Sequence, residues 1–136
     1  MLKRDYIQRL IEEYAHTIAK AMGLKAQERN QEALELVRRG YHDYLQLDAD
    51  VIDGLNATQL IEIMRQREVF TYGQLEIIAS ALKTEGELLL EVDSVKSRSK
   101  LQVALDLFLW IEQHDTANFS FHRKALVNSL QSALTA

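Results

Sequence analysis

The chain contains no proline, and its apolar residues recur at three- and four-residue steps almost from end to end. Proline breaks helices and stiffens linkers, so nearly every segment is free to be helix. Five glycines and a few clusters of Asp, Asn, Ser and Thr supply the turn punctuation. This pattern predicts an all-α fold of about six helices in antiparallel hairpins, arranged as an irregular array or bundle. With 136 residues it suits one domain spanning 1–136, since domains run about 100–150 residues.

The periodicity divides the chain into segments. From Lys3 to Met22, the residues Tyr6, Ile7, Leu10, Ile11, Tyr14 and Ile18 form one apolar stripe. Gly23 fits a C′ stop there, where glycine takes positive φ without strain. From Gln27 to Leu47, Ala33, Leu34, Val37, Tyr41, Tyr44 and Leu45 share a face, with Gly40 beside it. A glycine at that place lets another backbone approach closely. A short helical piece over Val51, Ile52 and Leu55 follows. Asn56 with Gln59, and Thr71 with Gln74, read as two capping boxes and mark the firmest helix starts. The polar stretch from Asp93 to Lys100 fits a loop or the first turns of a helix. Leu101 to Gln113 leaves Ser99, Gln102, Asp106 and Gln113 in one polar stripe, so this helix is expected to be largely buried. A last helix is expected from Ser120 to Leu134.

Formal net charge is −4, with acids and bases spread along the chain. Such a surface has no strong field for steering phosphate backbones. With no cysteine, thiolate metal sites and disulfides are excluded, which accords with a reducing cytoplasm. The longest apolar run, Leu107 to Ile111, is far short of the ~20 residues that span a bilayer. No secretory apolar core follows Lys3 and Arg4. The expectation is a cytoplasmic protein without a membrane partner.

The opening Met-Leu-Lys-Arg-Asp-Tyr-Ile, with Arg9, Ile11 and Glu12, resembles an uncharacterised bacterial family of small helical proteins. From Gln27 to Leu134 the helix pairs are similar to tetratricopeptide hairpins. Ala33-Leu34-Glu35-Leu36-Val37 echoes Ala104-Leu105-Asp106-Leu107-Phe108, at about twice the ~34-residue tetratricopeptide period. The proline that commonly ends such repeats is absent, so the array implied is irregular. Neither resemblance implies catalytic residues.

Patterns that could carry chemistry are sparse. Glu13-Tyr-Ala-His16 is a Glu-x-x-His, but di-metal bundles use two such elements facing inward, and His16 points away from its helix's apolar stripe. Asp48, Asp50 and Asp53 superficially resemble a calcium loop. Ile52 falls where an oxygen ligand belongs, and Gln59 replaces the closing glutamate. These aspartates read better as turn and cap residues. His114 and His122 have no cysteine nucleophile to serve, and there is neither a Gly-x-Ser-x-Gly motif nor a glycine-rich phosphate loop. The chain therefore reads as a non-enzyme with no cofactor and no metal.

The reading that remains is a helical protein–protein interaction or scaffold module. Its partner is another protein or a second copy, as a homodimer. Leu109 falls within the polar stripe of its helix and Trp110 lies at the edge. With Tyr41 and Tyr44, they are the interface candidates, because Trp and Tyr favour hot spots. The spacing of the tyrosines says core, while their hydroxyls ask for a polar edge. The alternative is a nucleic-acid-associated regulatory module using Lys96, Arg98 and Lys100 as phosphate contacts. A small metal-binding protein around His16, His114 and His122 is a third reading.

Overall fold

The computed structural model describes residues 3–135. Seven helices lie within these residues: α1 (Lys3–Ala26), α2 (Asn30–Leu45), α3 (Ala49–Asp53), α4 (Ala57–Arg65), α5 (Tyr72–Leu89), α6 (Ser94–His114) and α7 (Phe121–Thr135). Two long hairpins, α1–α2 and α5–α6, dominate the bundle. Helix α5 packs against α1, α2 and α6, and α7 covers α6. Short α3 and α4 connect the hairpins, and α4 closes on α5 and α6. No helix among the described residues is long and apolar enough to cross a membrane.

The all-α expectation holds, and both capping boxes form. Asn56 Oδ1 accepts from Gln59 N at 2.9 Å, while Gln59 Oε1 accepts from Asn56 N at 2.9 Å. Thr71 and Gln74 repeat the exchange at 3.2 and 2.7 Å. Each box satisfies two backbone donors that a helix start leaves orphaned. The Asp93 to Lys100 stretch is helix, because the Asp93 carboxylate accepts from Lys96 N at 3.1 Å and starts α6 early.

The expected stop at Gly23 is corrected: α1 runs on to Ala26. Leu24 packs against the core, and its carbonyl accepts from Arg29 N at 2.9 Å beyond the helix end. Glu28, at φ 61°, takes the left-handed place expected of the glycine. Tertiary packing of one more turn outweighs the cost of glycine in a helix, about 1 kcal/mol.

Gly40 does what its position suggests, but it admits a ring rather than a backbone. A Cβ there would lie 2.2 Å from the Tyr14 ring. Tyr14 crosses α2 over this gap, donates to Val37 O at 2.7 Å and stacks on Tyr44 at 5.2 Å. Tyr41 meets the same ring edge-on at 6.2 Å. Gly86 plays the matching part between α5 and α6: a Cβ would meet the Leu101 side chain at 2.8 Å. Ser97 Oγ donates to Gly86 O at 2.6 Å across that contact.

Opposite outcomes follow for two glycine-to-alanine changes measured by urea unfolding. Gly40→Ala should destabilise by about 1–3 kcal/mol, the usual range for overpacking. Gly23→Ala should stabilise by about 0.5–1 kcal/mol, since nothing lies within 4 Å of its Cβ position. Equal effects would refute the close ring crossing.

Candidate interaction surface

Tyr6, Met22 and Val51 are exposed singly on α1 and α3, while the most exposed large apolar residues lie at the two ends of α6. At its start, around the α5–α6 turn, Leu90 is 61% exposed, Val92 76% and Val95 79%. Contiguous exposed apolar patches are uncommon on soluble monomeric proteins. Beside the turn lies a cleft of about 580 Å³, walled by Leu90, Val95, Leu101 and Leu134. Helix α7 returns here, and Arg98 donates to the Leu134 carbonyl. At the other end of α6, Phe119 and Phe121 are 72% and 83% exposed, edge to face at 4.8 Å. The α5–α6 end is the better founded surface, because its backbone is fixed by the Ser97–Gly86 hydrogen bond just inside.

Behind that end sits a buried charged cluster. Glu85 on α5 is fully buried. Its Oε2 accepts from Arg38 Nη1 at 2.6 Å, and its Oε1 accepts from the Tyr41 hydroxyl at 2.7 Å. Lys100 Nζ lies 3.6 Å from Oε1 and donates to Asp53. Arg38 also grips Asp53 with both terminal nitrogens, at 3.0 and 2.9 Å. Residues from α2, α3, α5 and α6 thus meet in one network.

The network sets the titration of Asp53 and Tyr41. Burial by itself raises the Asp53 carboxyl, but hydrogen bonds from Arg38 and Lys100 and their charges prevail and hold it at about 2. Burial, together with the Glu85 charge, raises Tyr41 well above the ordinary phenol range.

The structure redistributes the sequence-derived candidates. Tyr41 is fully buried, so it is corrected from interface candidate to core ligand of Glu85. Tyr44 is half-buried; its ring lies on Tyr14 and its hydroxyl pairs with Thr17 Oγ1 at 3.0 Å. Leu109 and Trp110 are half-buried and pack against the core. Trp110 stacks on His114 at 3.9 Å and neighbours Tyr72, whose hydroxyl donates to His114 O at 3.2 Å. These rings tie the end of α6 to the start of α5.

The basic trio does not share a surface. Lys96 and Arg98 are exposed, but Lys100 is buried and spent on Asp53 and Glu85. That corrects the expectation of three phosphate contacts. Glu13 and His16 lie exposed on α1. Asp50 and Asp53 turn toward Arg38, the latter two nitrogens deep. Sequence reasoning missed Glu85 and Arg38, because in sequence each is one more charge in a helix. Leu90, Val92 and Val95 were equally hidden, since aliphatic residues near a turn read as core.

No family model matches the chain, and comparisons with curated proteins and with solved structures find no match either.

The Asp53 carboxyl yields a signed prediction. Its folded pKa lies below the ordinary 3.8, so its contribution to stability is present above about pH 4 and is lost as pH falls toward about 2. Urea unfolding at stepped pH should show Asp53→Asn with a shallower loss across that window. An identical acid slope in the two chains would contradict the Arg38–Asp53–Lys100 geometry.

Proposed function

We propose that this chain is a non-enzymatic interaction module of helical hairpins that docks another protein through its α5–α6 end. The observation that carries this reading is the cluster of Leu90, Val92 and Val95, each more than half exposed, beside an open cleft. Aliphatic side chains at a rigid turn can enter a partner's pocket with little ordering cost. Lys96 and Arg98, with Glu91, ring the cluster as exposed charges, the polar rim typical of such surfaces.

Support for an irregular hairpin array comes from the neighbour order. Helix α5 touches both helices of the first hairpin, and α7 touches the second helix of the next. The echoing stretches Ala33–Val37 and Ala104–Phe108 fall on α2 and α6, the second helices of the two hairpins. Ala33 and Ala104 are buried in both, as are Val37 and Phe108. Helices α3 and α4 interrupt the array. A chain without cysteine suits work in the reducing cytoplasm.

The experiment places a photo-crosslinking amino acid at Val92, at Val95 and, as a control, at Asp106 on the exposed stripe of α6. Irradiation in cells should give one discrete adduct from the two valine sites and none from Asp106, and adduct mass separates a second copy from another protein. Equal yields at all three sites, or no adduct, would contradict the reading. In parallel, replacing Val92 and Val95 by Asp should change stability by no more than about 0.5 kcal/mol. Unfolding of that variant would mark both valines as core.

A further inference from the structure

The first turns of α1, the end of α2 and the α4–α5 connection enclose a second concavity, remote from the α5–α6 end. Its volume is about 490 Å³, within the ~300–1,000 Å³ of small-molecule sites. Tyr6, Ile7, Leu10 and Val69 form apolar walls that remain partly open to solvent. Apolar walls alone would not specify an occupant.

Arg67 lines the same cleft. Its Nη1 donates to Leu45 O at 2.5 Å and its Nη2 to Gln46 O at 3.2 Å, the carbonyls that end α2. Those bonds use two of the five N–H donors of a guanidinium. Glu68, the adjacent acid, is paired with Lys3 instead. No carboxylate among the described residues neutralises Arg67, and burial alone lowers its pKa. Of the charged lining residues, Lys3 and Glu68 cancel, which leaves the cleft one net positive charge at Arg67.

We propose that this cleft binds a small amphipathic carboxylate, with its hydrocarbon body against Tyr6, Leu10 and Val69 and its carboxylate on Arg67. Three N–H donors of the guanidinium remain for a carboxylate, and a half-buried cation gains most from an anion that arrives with its own apolar cover. This site is independent of the docking end, so either can fail alone.

The test titrates the isotope-labelled full chain with octanoate and, separately, with octanol at about pH 7, where a carboxylic acid is ionised. Saturable amide shifts should be confined to Tyr6, Leu10, Arg67 and Val69. Octanoate should bind at least about tenfold tighter than octanol, a difference of about 1.4 kcal/mol. Arg67→Gln should narrow that preference to within about threefold. Ile7→Trp, which fills the cleft and leaves Arg67 in place, should abolish binding of both probes. Equal affinities in the unaltered chain, shifts elsewhere, no saturable shift, or octanoate binding that survives in folded Ile7→Trp would each overturn the proposal. Should Arg67→Gln lose its helical signal, the probe comparison and Ile7→Trp decide.

Discussion

The Glu85 carboxylate is the constraint around which the bundle closes. A carboxylate with no solvent contact is costly unless it is paired and fully hydrogen-bonded. Here Arg38 comes from the first hairpin, Lys100 from the second, and the Tyr41 hydroxyl takes the remaining oxygen. Each donor must stand at its observed height along its own helix for the set to close. The network therefore fixes the register of α2 against α5 and of α5 against α6. Buried ion pairs contribute little net stability compared with apolar packing of equal volume. Their effect here is to penalise any slipped arrangement that leaves Glu85 without partners.

Packing around the cluster reinforces the same register. Gly40 admits the Tyr14 ring and Gly86 admits Leu101, so each hairpin has one point where its helices come closer than larger residues allow. The Tyr14, Tyr41 and Tyr44 rings fill the first hairpin. In the second, Ser97 bonds the Gly86 carbonyl directly. A sliding motion of either pair would drive a side chain into the opposite backbone. The apolar α5–α6 end projects from this fixed base, which would preorganise its exposed valines for the docking we propose.

How much of this was legible in sequence depends on whether the cause was local. Helix existence and the starts at Asn56 and Thr71 were readable, because caps are decided within four residues. The stop at Gly23 was misread, since the packing of Leu24 extends the helix one turn further. The Asp93 to Lys100 stretch reads equally as loop or helix start, and one aspartate side chain decides for helix. Site residues were the least legible. Lys100 looked like a surface cation and is a buried ligand of Asp53, while Tyr41 looked like an interface residue and is a ligand of Glu85. Partners 44 or 47 residues apart in the chain leave no periodic trace. The exposure of Leu90, Val92 and Val95 was likewise invisible, because only the packed bundle decides which aliphatic residues remain outside.

The central claim is that Arg38 and Glu85 act as one unit joining the hairpins. A double-mutant cycle with Arg38→Met, Glu85→Gln and the combination, read by urea unfolding, tests it directly. Each single change should cost about 3–5 kcal/mol, as expected when one partner of a buried pair is removed. The combined change should cost less than the sum by at least about 1.5 kcal/mol, within the range for residues in contact. Additivity to within about 0.5 kcal/mol would contradict the account.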